Sequence, residues 1–132
     1  MSTAPRIAFI AVAVGGAVGA LLRALVIAGL PIEGMLSVAI INILGSAALA
    51  AVLVLGERRL HDHAKWQHLW RPALVTGLLG GFTTTSGYAV LTNEAWRSGE
   101  SASAIAMGVG SVALALLVHA LVDVIVRRQV QS

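Results

Sequence analysis

The residues best suited to bind an ion lie in one run near the middle of the chain. The run Gly80–Tyr88 reads GGFTTTSGY, with two glycines followed, after one phenylalanine, by four consecutive hydroxyl side chains. Glycine weakens a helix, and hydroxyl groups need partners that apolar surroundings do not supply. Because apolar residues flank this run on both sides, we expect a membrane helix that opens here and faces an ion.

Two further polar residues, Asn42 and Arg23, lie within apolar stretches elsewhere in the chain. The amide of Asn42 needs a partner, and two arrangements provide one. Asn42 either makes a hydrogen bond to a neighbouring helix or lines a pore, where its N–H can donate to an anion. Arg23 either extends to the membrane interface or supplies positive potential at a pore mouth.

His119 and Asp123 form a second candidate pair in the last apolar stretch. They lie four residues apart and therefore share one face of a helix. Such a pair could relay protons. Its position within the last turns before Arg127 favours ionic pairing at the membrane interface instead.

Composition and segment length indicate the elements that carry these residues. Hydrophobic residues make up 58% of the chain and charged residues 11%, whereas soluble domains carry about 25% charged residues. Four stretches approach or exceed the roughly 20 residues that a membrane helix needs: 7–28, 35–55, 72–91 and 101–126. We therefore predict an all-α membrane protein. It is a single four-helix transmembrane domain over residues 1–132, with helix three broken near its middle.

Basic residues are distributed unevenly between the segments that join the predicted helices. Seven share the side of the two termini and the middle loop: Arg6, Arg58, Arg59, Lys65, Arg71, Arg127 and Arg128. The other side has Arg23 and Arg97. Basic residues concentrate in the cytoplasm, so we predict a multi-pass plasma-membrane protein with both termini cytoplasmic. The net charge of +3 is then explained by basic side chains that lie beside the anionic headgroups of the lipid bilayer. No nucleic-acid partner is needed to explain it.

Three segments of the chain resemble a known family. Gly16–Arg23, Ile41–Gly45 and Gly80–Ser86 are similar, in order and spacing, to the three signatures of the Fluc (CrcB) fluoride channel family. The resemblance implies a passive fluoride channel that lowers fluoride toxicity in the cytoplasm and is not an enzyme. It also implies four-helix subunits paired as an antiparallel dimer with fluoride pores. A structural sodium ion, which is not transported, would lie at the dimer centre.

The resemblance also assigns site residues by position. The backbone carbonyls of Gly80 and Thr83 would hold the sodium ion, and carbonyl oxygens suit such a hard cation. The residues expected to line the pore are Asn42, Thr84, Thr85, Ser86, Tyr88 and Arg23. Their amide, hydroxyl and guanidinium groups are the donors that a dehydrated anion requires.

Some positions depart from the family pattern. Thr85 and Tyr88 stand where the family usually has phenylalanines whose ring edges face the anion, and Leu91 replaces a usual glutamate. One or both ring contacts are therefore missing from this subunit. Antiparallel pairing of identical chains also requires balanced basic residues, which this chain lacks. We therefore expect a heterodimer with a related four-helix subunit of opposite orientation.

Two alternative functions remain open at this point. The chain could be a non-conducting or half-conducting partner subunit of a heterodimeric fluoride channel. It could instead be a small multidrug-type secondary transporter, although proton-coupled export needs a carboxylate near the membrane midplane. Helices one to three contain none, and Asp123 lies near the end of helix four.

Overall fold

Helices account for the regular structure in the part of the chain that the structure describes. This computed structural model describes residues 3–31, 34–60, 63 and 66–131. Helix α1 spans Thr3–Gly29 and α2 spans Met35–Leu60. The Ser37 hydroxyl donates to the Gly34 carbonyl at 2.7 Å and thereby closes the turn that leads into α2.

The third span consists of two helices. Helix α3, residues 66–82, comprises Trp66–Trp70, Pro72–Leu79 and Gly80–Phe82, and its first two parts are wound with wide π turns. Helix α4 spans Ser86–Arg97. The chain between them, residues 83–85, is not helical. The interruption predicted for the third helix is therefore present, and it lies within the run of hydroxyl residues.

Helix α5 forms the fourth span. It comprises Ser101–Ile105, Ala106–Gly110 and Ser111–Gln131, and its middle part is again a wide π turn. Gly99 turns the chain from α4 into α5, since its φ of 84° lies in the left-handed region that favours glycine. The Glu100 N–H donates to the Ala95 carbonyl at 2.9 Å and closes the end of α4.

Four helical segments are long and apolar enough to cross a membrane: Pro5–Gly29, Met35–Arg58, Gln67–Arg97 and Ser101–Gln129. Each contains one of the predicted spans. The helices extend further because polar residues at their ends, such as Arg58 and Arg97, continue the helix beyond the apolar stretch. Many large apolar side chains are exposed, as expected for helices that face lipid. The chain is a multi-pass membrane protein.

The four spans pack in two pairs. Helix α1 packs mainly against α3, and α2 mainly against α5. On α2, the side chains of Ile41, Ala50 and Val54 are at most 1% exposed, so this helix lies at the centre of the bundle. Asn42 follows Ile41 directly and is therefore positioned by the most tightly packed part of the chain.

Glycines form the seam between α1 and α3. A methyl group on Gly19 would lie 2.8 Å from the backbone nitrogen of Phe82 and 2.9 Å from the carbonyl carbon of Leu78. A methyl group on Gly77 would meet the backbone of α1 equally closely. These distances are too short for carbon, so only glycine permits the two backbones to approach in this way. Arg23 lies one turn beyond Gly19, and the seam brings it beside the break.

Candidate functional site

Thr83 ends helix α3. Its backbone is extended, with φ −73° and ψ 156°, so the following peptide group leaves the helical direction. The Thr83 N–H and the Thr83 hydroxyl both donate to the Leu79 carbonyl, each at 3.0 Å. The helix end is therefore satisfied locally, and the Thr83 hydroxyl is engaged within α3.

Asn42 holds the break open from helix α2. Its Nδ2 donates to the Thr84 carbonyl at 3.0 Å, and its Oδ1 accepts the Thr84 N–H at 2.9 Å. The side-chain amide thus replaces a peptide group and satisfies both backbone groups that the break frees. In a continuous helix the Thr84 N–H would donate to the Gly80 carbonyl. Pairing with Asn42 diverts that donor and prevents α3 from continuing.

Arg23 reaches the same break from helix α1. Its Nη1 donates to the Thr83 carbonyl at 3.0 Å, and the side chain is half-buried. A charged donor makes a stronger hydrogen bond than a neutral one, so this contact helps to hold the extended backbone. Of the two arrangements considered for Arg23, this contact favours the one in which the guanidinium supplies positive potential. The guanidinium places a positive charge beside the run of hydroxyl residues.

The hydroxyl groups after the break begin helix α4. The Thr84 Oγ1 accepts the Gly87 N–H at 3.2 Å and lies 3.2 Å from the Ser86 Oγ. A threonine oxygen that accepts an N–H of the first turn is the usual way to cap a helix. Thr84 therefore contributes its backbone to the Asn42 pair and its side chain to the start of α4.

A groove of about 530 Å³ opens beside the break, between α2, α3, α4 and α5. Its polar side chains are Asn42, Ser46, Thr83, Thr84, Thr85, Tyr88, Ser111 and His119, and Gly80 also lies on its wall. The structure thus brings together most of the predicted site residues. Ser86 and Arg23 are not part of this wall and reach the site through Thr84 and Thr83 respectively.

Tyr88 connects the groove to the wide turn of α5. Its hydroxyl donates to the Gly108 carbonyl, and the Ser111 hydroxyl donates to the Met107 carbonyl. A π turn displaces the regular helical hydrogen bonds, so side-chain donors at these carbonyls stabilise it. A phenylalanine at position 88 would lack the hydroxyl that makes this contact.

Three polar groove residues were not predicted as part of the site: Ser46, Ser111 and His119. Ser111 and His119 lie eight residues apart on α5, and that spacing places them on one helix face. This eight-residue spacing was therefore the sequence feature that could have identified Ser111 and His119 as site residues. The His119 Nδ1 lies 3.4 Å from the Ser46 carbonyl oxygen. Asp123 pairs with Arg127 at 2.8 Å, as expected, whereas His119 belongs to the groove.

The carbonyls predicted to bind sodium differ in their surroundings. Gly80 is exposed, and within the described residues its carbonyl receives no hydrogen bond because Thr84 donates to Asn42. The Thr83 carbonyl accepts from Arg23 and retains one lone pair. Both oxygens therefore fit a hard cation, with Arg23 as a competing charge. Such cations take about six oxygen ligands, so further ligands would have to come from outside this chain.

Comparison with known proteins is consistent with this geometry. The family model described as CrcB-like protein, Camphor Resistance (CrcB) matches residues 10–122, a range that contains the break and all the groove residues. The fluoride-specific ion channel FluC of Paracoccus denitrificans is 41% identical over 115 residues, which cover 82% of this chain and 85% of the relative. The protein of the same name from Saccharophagus degradans is 35% identical over 113 residues, covering 83% and 82%. The chain therefore belongs to the CrcB-like family, and these relatives within it are fluoride-specific ion channels.

Proposed function

We propose that this chain is a subunit of a passive fluoride channel that lowers the fluoride concentration of the cytoplasm. The observation that carries the proposal is the Asn42–Thr84 pair, which holds a membrane helix open beside a polar groove. An opened helix is tolerated at membrane depth only where it faces protein or a polar cavity. Relatives named fluoride-specific ion channels align with more than four fifths of this chain.

The groove offers the donors that such a small anion requires. Fluoride holds its hydration water strongly, so a pore must replace that water with hydrogen-bond donors. The Asn42 nitrogen carries two hydrogens, and the Thr84 carbonyl takes one of them. The second hydrogen, together with the exposed hydroxyl of Thr85, is available to the anion. Arg23, held on the Thr83 carbonyl, adds positive potential beside the break.

Ion efflux from liposomes tests this function. The assembly purified through this chain, with its partner subunit, is reconstituted into liposomes loaded with potassium fluoride or potassium chloride, and the released ion is followed with an ion-selective electrode. Fluoride is expected to leave while chloride is retained, without an imposed proton gradient. Release of both ions at equal rates, or release that depends on a proton gradient, would contradict a passive fluoride channel.

Sodium is proposed to bind at the Gly80 and Thr83 carbonyls and to stabilise the assembly without being transported. The Gly80 carbonyl lacks its helical partner, and a cation would satisfy it. Bound sodium would supply positive charge near the break and connect adjoining subunits.

Sodium removal is expected to abolish fluoride efflux, because the freed carbonyls at the break lose their counter-charge. Efflux is measured first in a buffer that contains sodium. It is then measured in a buffer in which N-methylglucamine, a large organic cation, replaces all of the sodium. Radioactive sodium uptake serves as the control and is expected to stay at background. Equal fluoride efflux in the two media would remove sodium from the proposal.

The subunits are proposed to pair antiparallel, with a related four-helix subunit of opposite orientation as the partner. The support is the charge count, with seven basic residues on one side and two on the other, although Lys65 lies outside the described residues. Such a bias directs nearly all copies into one orientation, with both termini in the cytoplasm. An inverted copy of the same chain should therefore be rare.

Thiol labelling of intact cells measures this orientation. The chain has no cysteine, so His68→Cys and Ser98→Cys provide single sites in the first turn of α3, at the end of its span, and in the turn after α4. An impermeant maleimide is expected to label Ser98→Cys from outside and His68→Cys only after lysis. Equal labelling of both sites from outside would indicate dual orientation and a homodimer.

A further inference from the structure

His119 is the groove residue whose side chain can carry a positive charge. The groove wall otherwise consists of amide, hydroxyl and apolar groups, apart from the Tyr88 phenol, which already donates to Gly108. His119 is half-buried, and its ring lies against the Ser46 carbonyl of α2. Histidine is the side chain that ordinarily changes charge between about pH 5 and 8.

The contact with Ser46 defines what the other ring nitrogen can do. A carbonyl oxygen only accepts, so we assign the hydrogen of the neutral ring to the Nδ1 that lies 3.4 Å from it. In the neutral ring the Nε2 then carries a lone pair and repels an anion. In the protonated ring the Nε2 carries a second N–H, which donates to an anion. Protonation thus converts His119 from an acceptor to a charged donor.

The charged side chains around His119 are paired with one another, so they do not cancel the positive charge of a protonated His119. On α5, Asp123 lies one turn further on and is bound by Arg127 at 2.8 Å. On α2, Glu57 and Arg58 lie within electrostatic range of that pair and carry opposite charges. The α3 side chains Val75 and Leu79, which line the same groove, are apolar. The neighbourhood is therefore close to neutral, and a protonated His119 gives it a net positive charge.

The position of His119 relates it to the Asn42 site. Ser46, which contacts His119, lies four residues after Asn42 on α2, a rise of about 6 Å along the helix axis. Asn42 and His119 therefore lie along one groove about one helical turn apart. In the proposed orientation α2 runs toward the cytoplasm, so an anion from the cytoplasm meets His119 before Asn42.

We propose that His119 is a second anion-binding residue of this groove, which binds fluoride in its protonated form and delivers it to Asn42. The proposal rests on the proposed function, since it concerns the same groove. It adds a proton-dependent binding step on the cytoplasmic side of Asn42. Fluoride affinity should therefore increase as the pH falls.

Fluoride binding to the assembly that contains this chain, held in lipid nanodiscs, tests this role by calorimetry at about pH 6 and about pH 8, where added fluoride is ionised. The wild-type chain is expected to bind about tenfold more tightly at the lower pH, the scale of one charge-assisted hydrogen bond. In His119→Asn an amide nitrogen can retain the Ser46 contact but cannot be charged, and affinity is expected to be low and equal at both pH values. His119→Arg keeps a fixed charge and is expected to bind tightly at both.

His68→Asn serves as the matched control, because His68 is exposed and lies outside the groove. This variant is expected to retain the full pH dependence. Wild-type affinity that is equal at both pH values, or pH dependence that survives in His119→Asn, would overturn the proposal. Selective fluoride efflux together with pH-independent binding would remove His119 from the mechanism and leave the channel function intact. If the assembly shows no fluoride efflux and no fluoride binding at any pH, both the channel function and the role of His119 would be overturned.

Discussion

Replacement of Asn42 by leucine is expected to reduce fluoride efflux to the level of protein-free liposomes. Leucine has a similar size but makes neither hydrogen bond to Thr84. The Thr84 N–H and carbonyl would lose their partners, at a cost of about 1–3 kcal/mol for each buried group. The cheapest remedy is to return the Thr84 N–H to the Gly80 carbonyl, which closes the break. The anion would also lose the free amide hydrogen.

The Asn42→Asp variant separates these two effects. Aspartate can still accept the Thr84 N–H, so the break should persist, but it offers no donor and adds a negative charge. Efflux from this variant is expected to be as low as that from Asn42→Leu, although the Thr84 N–H keeps its partner. Asn93→Leu is the matched control, since Asn93 is exposed on α4. Normal efflux from Asn42→Leu would exclude Asn42 from the conduction path.

The Gly19→Ala variant is expected to lose folded protein, although alanine favours helices by about 1 kcal/mol over glycine. The added methyl group would lie 2.8 Å from the Phe82 nitrogen and 2.9 Å from the Leu78 carbonyl carbon. These are backbone atoms of α3, so they cannot rotate away, and overpacking of this kind costs about 1–3 kcal/mol. Separation of α1 from α3 would also withdraw Arg23 from Thr83.

Gly29→Ala provides the control for this prediction on the same helix. A methyl group on Gly29 has no neighbour within 4 Å, so stability should be unchanged or slightly higher. The melting temperature in detergent and the elution profile on size exclusion report the difference. Equal melting temperatures for the two variants would show that α1 and α3 are not held together by close backbone contact.

The spans could be predicted from the sequence because each one depends on local composition. Apolar length alone placed a helix over 35–55, and the structure extends it to Leu60 because charged residues such as Arg58 continue a helix that has already formed. The break in the third span was also predictable, since consecutive hydroxyl residues after glycines are rare in apolar helices. Its position at 83–85 depends on the Thr84 pairing, which is a contact between distant residues.

The side-chain partners of the site could not be predicted in the same way. The sequence left Asn42 with two arrangements, and the structure supplies the interhelical hydrogen bond while the residue also lies on the groove wall. His119 was interpreted together with Asp123, because spacing along one helix is visible in a sequence. Its contact with Ser46 joins residues 73 positions apart and depends on how α2 and α5 pack. Contacts of that kind follow from tertiary structure.

The wide turn at Ala106–Gly110 makes the groove sensitive to the number of residues in the last helix. A π turn accommodates one residue more than an α-helical turn, and one residue corresponds to about 100° of rotation about the helix axis. Deletion of a single residue here would rotate Ser111 and His119 away from Asn42 toward lipid, with every side chain otherwise retained. The register of the last helix is thus as much a determinant of this polar surface as the identity of its residues.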